Sequence, residues 1–399
     1  MKNRDVLYLN DDQYRAVKDV NVFLPEYMPS KIYIRSEFEN LYLSLTNFSI
    51  KGVRLFLVTG HRGSGKTLTA KSLVLQLNNV IPTYYINGES RNTTRKILEY
   101  ILIQPKLSDK ALFDMLLDRI KKLNASEKHA CLIIDDAQFL KDHDIIEHFL
   151  RNRDYNLNIV LFSVNDIWLN FLLKKYRDVK VERIDLHDYT ADELIKIMEY
   201  RADLGLASKD MNSISATAGY IAKEYKGNAS IAIRLLPHLA SNGWPVDQER
   251  ISDLVKKFIE NDVSSLLRDL PDRGIIVLFA LIYENGLEAI YPISSRFASE
   301  LLDYNLSYAR IKASLDYLIN LGLVAVVRSD SPETQGNGKS KQSYSLKLLF
   351  DRKLVVIEAM RRFGDKVRNI LADPGDQIGA LIRSHMSFNY FKRYFYPDK

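Results

Sequence analysis

A glycine-rich stretch, GHRGSGKT, occupies Gly60 to Thr67. It follows an apolar run, Val53 to Thr59, and precedes LTAKSLVLQL, which has a helical pattern. The spacing G-x-x-x-x-G-K-[ST] in this strand and helix context is that of a phosphate-binding loop. The glycines let the backbone curl so that amide groups face phosphate oxygens, at a helix N-terminus whose dipole favours anions. The stretch therefore predicts a nucleotide site.

Residue types within the loop predict individual contacts. Lys66 is expected to reach the β- and γ-phosphates, and the Thr67 hydroxyl to ligate Mg²⁺. The other loop residues expected to bind nucleotide are Gly60, Arg62, Gly63, Ser64 and Gly65. The alternative is a glycine turn that only caps a helix, which the flanking strand and helix patterns disfavour.

Two adjacent aspartates, Asp135 and Asp136, follow the apolar run Ala130 to Ile134. Asp135 is placed to hold the magnesium shell, because the charge on metal-bound phosphates calls for a fixed anion opposite. Asp136 would then orient or activate the attacking water. The alternative is that the two acids cap the next helix.

Short apolar runs alternate with longer amphipathic ones, and this pattern predicts the strands and helices that position these residues. This alternation predicts an α/β domain with a parallel sheet flanked by helices. The predicted strands are Val53 to Thr59, Thr83 to Ile86, Ala130 to Ile134, Ile159 to Val164 and Val181 to Leu186.

Strand character ends after Leu186, where Thr190 and Glu193 predict a capping box for a helix that runs to about Leu204. Further amphipathic helices follow to about Leu270. From Pro271 the pattern predicts three helices and then two strands, Leu323 to Arg328 and Ser343 to Leu348. The predicted domains are a P-loop sheet domain (1–188), a helical domain (189–267), a helix and strand domain (268–370) and a tail (371–399).

Composition indicates an ordinary globular protein with a mild basic excess. The chain has 399 residues, with 56 Lys and Arg against 50 Asp and Glu. The single cysteine, Cys131, excludes an internal disulfide and lies in an apolar run, which favours a buried small hydrophobe over a reactive thiol. The longest apolar run, Ile275 to Tyr283, is far shorter than the roughly 20 residues that a bilayer requires. We expect a cytoplasmic, nucleoid-associated protein without a membrane partner.

The phosphate loop, the acidic strand end and the polar residue that ends NIVLFSVND together resemble the AAA+ class of ATPases. The resemblance implies that ATP or ADP binds with Mg²⁺. It also implies that Asn165 contacts the attacking water or the γ-phosphate, although a strand-end asparagine is otherwise a turn former.

Within the AAA+ class, the chain resembles the archaeal replication initiators related to the eukaryotic origin recognition complex and its helicase-loading partner. FLPEYMPSK, Phe23 to Lys31, is similar to the segment that borders the adenine. YTADELIKIMEYR, Tyr189 to Arg201, is similar to the start of the helical lid, whose tyrosine and arginine lie near the nucleotide. LSYARIKASLDYLINLGLV, Leu306 to Val324, with the hairpin after it, is similar to the recognition helix and wing of a C-terminal winged-helix DNA-binding domain.

Two departures from the family pattern bear on catalysis. The family usually has Glu where this chain has Asp136, which is one methylene shorter, and a misplacement of about 1 Å can cost on the order of 10²-fold in rate. The lid motif reads GNAS, with Ser230 where a γ-phosphate-sensing arginine is expected. Arg234, one helical turn on, is either its substitute or a surface arginine. Lys174 and Arg177 lie in the neighbourhood of the arginine finger without a clean motif. We therefore expect tight nucleotide binding and slow turnover.

The stretch after Leu306 predicts a DNA-reading helix. Ile311, Leu315, Leu318 and Ile319 form one buried stripe, which leaves Ala309, Lys312 and Ala313 outward. In helix-turn-helix modules the early residues of the second helix touch base edges, while basic groups hold phosphates. Ser307 is expected to cap the helix. The residues expected to contact DNA are Ser307, Tyr308, Arg310, Lys312, Arg328, Lys339 and Lys341.

The distribution of charge supports the prediction of a DNA-reading helix. Residues 306–370 contain twelve Lys or Arg against six acids, an excess equal to that of the whole chain. This concentration favours DNA binding, although winged helices also serve as protein docking modules. The tail HMSFNYFKRYFY either stacks on bases or docks on the protein's own core.

The resemblance implies an ATP-dependent replication initiator that binds duplex origin DNA, sometimes beside a paralogous initiator, and helps recruit the replicative helicase. Two alternatives stay open. One is an AAA+ ATPase of the transposition or loader type that remodels a protein partner. The other is a nucleotide-regulated transcription factor.

Overall fold

The computed structural model describes residues 13–30, 32–33, 35–49, 51–103, 107–125, 129–152, 154–164, 169, 173, 175–176, 179, 181–241, 243–244, 246–283, 286, 289–329 and 343–372. The chain separates into two compact units, residues 1–256 and 257–399. The four-domain division predicted from the sequence stays a prediction.

The first unit contains a five-stranded parallel sheet with the order β2-β3-β4-β1-β5. Its strands are β1 (Val53–Thr59), β2 (Thr83–Asn87), β3 (Ala130–Asp135), β4 (Leu157–Ser163) and β5 (Val181–Asp185). These are the five predicted strands, with ends that differ by at most two residues. The prediction of a parallel sheet is confirmed.

Side chains of β1 alternate between two apolar clusters, one on each face of the sheet. Leu55 and Leu57 belong to one cluster and Phe56 and Val58 to the other. This is the period of two that a strand imposes. Because both faces are covered, the central strands are apolar over most of their length, as is typical of buried parallel strands.

Helices cover both faces of the sheet. They are α1 (Ser36–Leu45), α2 (Lys66–Leu77), α3 (Thr94–Leu102), α4 (Asp109–Ala125) and α5 (Asp144–Arg151). Short 3-10 turns lie at Gln13–Ala16, Val20–Phe23 and Ala137–Phe139. Cys131 is fully buried in β3, and burial raises the pKa of its thiol, which agrees with the prediction of a buried small hydrophobe.

A helical region follows the sheet, with α6 (Ala191–Gly205), α7 (Met211–Glu224), α8 (Ala229–Ser241) and α9 (Gln248–Asp269). We call residues 189–241 the lid. The predicted capping box is confirmed: the Thr190 hydroxyl accepts from the Glu193 amide at 3.3 Å, and the Glu193 carboxylate accepts from the Thr190 amide at 2.8 Å. The Val20–Phe23 turn packs against α6 and α8.

The second unit contains α10 (Asp272–Tyr283), α11 (Ile290–Leu302), α12 (Tyr308–Asn320), α13 (Arg352–Phe363) and α14 (Asp365–Ala372). Between α12 and α13 an antiparallel pair forms from β6 (Val324–Ser329) and β7 (Ser343–Leu348). Helix α10 is buried along most of its length and packs against α11, α12 and α13. Three helices followed by a two-stranded hairpin is the predicted arrangement. Residues 330–342 and the tail after 372 lie outside the described residues.

Within the described part of the chain, no helix combines the length and the apolar character needed to cross a membrane.

Candidate nucleotide-binding site

The glycine-rich loop joins β1 to α2, and two of its glycines adopt backbone conformations that favour glycine. Gly63 has φ 81° and Gly65 has φ 91°, both in the left-handed region. Gly65 is the N-cap of α2. A Cβ atom at Gly65 would also lie 2.5 Å from the Tyr189 hydroxyl oxygen. Both the turn and the close approach of Tyr189 therefore require glycine.

Lys66 opens α2 and is buried, with 7% of its surface exposed. Its Nζ donates to the carbonyl oxygens of Gly60 at 2.7 Å and His61 at 2.8 Å. Burial lowers the pKa of the ammonium group to about 8, although the charges of Asp136 and Asp135 act in the opposite direction. A phosphate in the loop would supply the anion that a desolvated ammonium group lacks.

Asp135 ends β3 and is fully buried. Its carboxylate accepts from the Tyr85 hydroxyl at 3.0 Å, from the Asp136 amide at 3.1 Å and from the Thr67 hydroxyl. Burial, and then the charge of Asp136, raise the pKa of this carboxyl group. The structure therefore brings together the two predicted magnesium ligands, Thr67 and Asp135. A hydroxyl and a carboxylate are oxygen donors of the kind that Mg²⁺ prefers, so the pair fits that ion.

Asp136 adopts φ 54°, a left-handed conformation. Aspartate enters this region more readily than longer side chains do, because its short polar group can bond locally. The left-handed backbone is therefore a physical reason for aspartate, rather than the longer glutamate, at position 136. The Asp136 carboxylate accepts from Gln138 Nε2 at 3.1 Å, and Gln138 Oε1 accepts from the Val164 amide at 3.4 Å. Gln138 therefore ties Asp136 to the end of β4.

The sequence analysis did not identify Gln138, and no motif marks it. Asn165, the other predicted catalytic residue, follows Val164 but lies outside the described residues, as do Lys174 and Arg177. The predicted role of Asn165 therefore stays a prediction.

The lid touches the phosphate loop at the start of α8. The Ala229 amide donates to the Gly63 carbonyl at 3.1 Å, and a Cβ atom at Gly63 would collide with the Asn228 side chain. Asn228 Oδ1 accepts from the Ile231 amide at 3.1 Å, so it caps α8. The first turn of α8 is thereby fixed against the loop.

Arg35 forms a second link between the loop and the lid. Its guanidinium donates to the Ser64 carbonyl at 3.3 Å and to the His187 carbonyl at 2.6 Å, and it lies 4.5 Å from the centre of the Tyr189 ring. The sequence analysis missed Arg35, because an arginine just before α1 belongs to no nucleotide-binding pattern.

Beside the loop lies a cavity of about 520 Å³. Its apolar wall comes largely from Phe23 to Pro29, the segment predicted to border the adenine, and from Ile197, Tyr200 and Ile233 of the lid. Gly63, Gly65 and Thr67 form the edge next to the loop. The cavity thus has an apolar part, which suits a nucleotide's base, next to a phosphate-binding loop, which suits its phosphates.

The structure also locates the remaining predicted nucleotide contacts. Tyr189, Arg201 and Arg234 line the cavity, together with Ser230. The Arg201 guanidinium is buried, and burial lowers its pKa. It donates to the Val22 carbonyl at 2.8 Å and lies 4.6 Å from the centre of the Tyr27 ring. Ser64 is buried in the loop, whereas Arg62 is exposed to solvent and does not line the cavity.

The predicted DNA contacts lie in the second unit. Tyr308, Arg310 and Lys312 are exposed on the first turns of α12, and Tyr308 stacks on Tyr291 with 4.1 Å between the ring centres. Ser307 occupies the N-cap of α12, the position predicted for it, although its side chain makes no capping hydrogen bond. Arg328 is part of β6, and its side chain is not described. Lys339 and Lys341 lie outside the described residues.

The predicted faces of α12 agree with the structure. Ile311, Leu315 and Leu318 are buried, and Ile319 is half-buried. Ala309 and Ala313 are exposed beside Lys312. The outward surface of the helix therefore combines small, basic and aromatic residues.

Comparisons with known proteins show which family and which solved structures this chain is similar to. Residues 50–170 match the family described as AAA domain. A search by sequence among curated proteins returned no match. Among solved structures, the chain is similar to the Orc1 protein of Aeropyrum pernix, solved in complex with DNA, with 19% identity and a TM-score of 0.60. That match covers 91% of this chain and 100% of the other.

A second similar structure is the Aeropyrum pernix ORC2 protein in ADPNP and ADP complexes. It has 20% identity and a TM-score of 0.50, and the match covers 88% of this chain and 100% of the other. At these identities the likeness bears on the fold. The resemblance to archaeal initiators predicted from the motifs is confirmed at that level. Residues 50–170 match the AAA domain family, and the chain has the fold of the archaeal Orc1 and ORC2 proteins.

Proposed function

We propose that this chain is an ATP-dependent DNA replication initiator. It binds duplex origin DNA through its winged helix and its AAA+ domain, and it helps recruit the replicative helicase. The proposal rests mainly on Lys66 and Asp135, which are both buried at one edge of the sheet. They lie beside a cavity that is partly lined by the lid. The chain also has the Orc1 fold.

Nucleotide binding is supported by the division of the cavity. The apolar wall suits a base, and the loop amides at the start of α2 suit phosphates. Thr67 and Asp135 would hold Mg²⁺, which would neutralise charge on the phosphates when bound. Asp136 is the proposed group for orienting the attacking water, and Gln138 positions it.

A switching role is supported by the contact between lid and loop. Because α8 begins against Gly63, a ligand in the loop changes the surroundings of the first lid turn. A ligand shifts a conformational equilibrium only through a difference in its affinity for the two states. The proposed switch therefore depends on contacts that bound nucleotide makes to the loop and to the lid together.

DNA binding is supported by charge and by the exposed surface of α12. The similar Aeropyrum Orc1 protein was solved in complex with DNA. In this chain Arg310 and Lys312 are exposed on the first turns of the proposed recognition helix, where basic groups hold phosphates. A paralogous initiator as a second partner is part of the same proposal.

Replacing Lys66 by alanine should abolish tight ATP binding. Hydrogen bonds that involve a charged group contribute about 1.5–3 kcal/mol, so the dissociation constant should rise by about ten- to a hundredfold. Isothermal titration with Mg-ATP measures this. Lys121→Ala, which removes an exposed lysine of α4, is the matched control and should bind like the wild type. Equal affinity of Lys66→Ala and wild type would exclude the loop as the site.

Replacing Asp136 by asparagine should stop ATP hydrolysis while leaving ATP binding intact. Asparagine keeps the length of the side chain and tolerates the left-handed backbone, but it removes the charge that orients water. Wild-type turnover should itself be slow, well below several ATP per second. Single-turnover hydrolysis and nucleotide titration, run on both proteins, separate the two effects. Unchanged hydrolysis in the variant would remove Asp136 from the mechanism.

Replacing Arg310 and Lys312 together by alanine should weaken duplex binding and reduce its salt dependence. Each lost phosphate contact should lower the slope of log affinity against log salt by about 1. Fluorescence anisotropy across a salt series gives the slope. Lys366→Ala is the control, because that lysine is paired with Asp303 at 2.7 Å in the same unit. A double variant with the wild-type slope would argue that α12 docks protein instead.

Mapping the chain's chromosomal sites in cells tests the biological role. An initiator should cluster at replication starts, and the Lys66→Ala variant should lose or alter that clustering. Sites scattered over promoters would instead indicate a nucleotide-regulated transcription factor. Strong ATPase activity without salt-sensitive duplex binding would indicate an ATPase that remodels a protein partner.

A further inference from the structure

The N-terminal segment, residues 16–29, is joined to the lid by the backbone of residues 16–19. Val17 forms an antiparallel bridge with Leu206, directly after α6. The Lys18 amide donates to the Gly205 carbonyl at 2.8 Å. The segment therefore continues the lid, although it precedes the whole sheet in the sequence.

Side-chain packing reinforces this attachment. Phe23 is fully buried, and a Cβ atom at Gly205 would lie 2.5 Å from Cε2 of its ring. Gly205 is the last residue of α6, and its φ is not in the left-handed region. Space for the Phe23 ring, rather than a turn, therefore accounts for glycine at this position.

Arg201 contacts the next part of the segment, at Val22 and Tyr27. Its Nη1 donates to the Val22 carbonyl at 2.8 Å, and its guanidinium lies 4.6 Å from the centre of the Tyr27 ring. The side chain is buried, with 6% of its surface exposed. A planar guanidinium can bond at its edge and stack by its face at the same time, which a lysine cannot do.

The attached segment is also the apolar wall of the cavity. Phe23, Leu24 and Tyr27 line it from one side, while the phosphate loop borders it from another. The wall for the base is thus fixed to α6, and the groups for the phosphates are fixed to β1 and α2. These two halves of the site belong to different elements.

We propose that Arg201 is a positioning residue that fixes the base-binding wall to the lid. The inference rests on the proposed nucleotide site. If Arg201 has this role, the affinity for the base depends on Arg201, whereas the affinity for the phosphates does not. The alternative is a direct contact between Arg201 and the phosphates, in which case affinity for a polyphosphate without a base depends on Arg201 as well.

The test compares Mg-ATP with magnesium tripolyphosphate, which lacks base and ribose, by titration of the full chain. Arg201→Ala should raise the dissociation constant for ATP roughly tenfold or more, because the charged donor to Val22 and the stacking contact with Tyr27 are lost. The dissociation constant for tripolyphosphate should stay unchanged. Thermal unfolding of the unliganded variant checks that it folds.

Gly205→Ala provides a second route, because it presses a methyl group on Phe23 without removing any group that lines the cavity. It should produce the same selective loss of ATP affinity. Lys209→Ala removes a cation that pairs with Glu199 and Asp203 on the same part of the lid, and it should change neither constant.

The outcomes separate this inference from the proposed function. Equal losses for ATP and tripolyphosphate in Arg201→Ala, or no loss for either, would overturn the positioning role while leaving the nucleotide site in place. A wild-type chain that binds neither probe would overturn the nucleotide site itself, and the inference with it.

Discussion

The site depends on burying an ammonium group and a carboxylate, those of Lys66 and Asp135, at one edge of a parallel sheet. In a parallel sheet all strands end at the same edge, so the loop after β1 and the aspartates after β3 meet there. Lys66 is buried, and desolvation acts against its charge, as it acts against the charge of Asp135. Buried charges persist when they are paired and hydrogen-bonded. The loop carbonyls, Tyr85 and Thr67 supply those bonds in the protein, and phosphates with Mg²⁺ complete the charge balance in the proposed complex.

Much of the sheet and of the loop was predictable because local patterns determine them. A strand buried on both faces is apolar over most of its length, so the runs before Gly60 and Asp135 identified β1 and β3. The phosphate loop follows from glycine positions that only one backbone path satisfies, and Gly63 and Gly65 have the left-handed φ that this path requires. The capping box at Thr190 was equally local, since both of its bonds lie within three residues.

The parts that sequence reasoning missed are contacts between distant residues. Arg35 joins the loop to the lid across more than one hundred residues of chain, as its contact with the Tyr189 ring illustrates. Arg201 was predicted near the nucleotide and does line the cavity, but its bond to the Val22 carbonyl follows from how the N-terminal segment folds back on α6. The left-handed conformation of Asp136 leaves no local pattern either, because aspartate occurs in many other conformations.

Ser230 limits how the lid can respond to nucleotide. A ligand that binds two conformations equally well shifts neither, so a switch needs a contact that differs between nucleotide states. Ser230 lines the cavity near the loop but carries no charge for a γ-phosphate. If the lid binds the base through the wall that Arg201 fixes, this contact is the same for ATP and ADP. Discrimination between them must then come from charged groups that face the terminal phosphate in the proposed complex. These are Lys66, Asp135 and Asp136 on the sheet side and Arg234, which lines the cavity from α8. The wall fixed by Arg201 would report whether a nucleotide is bound, and these charged groups would report which one.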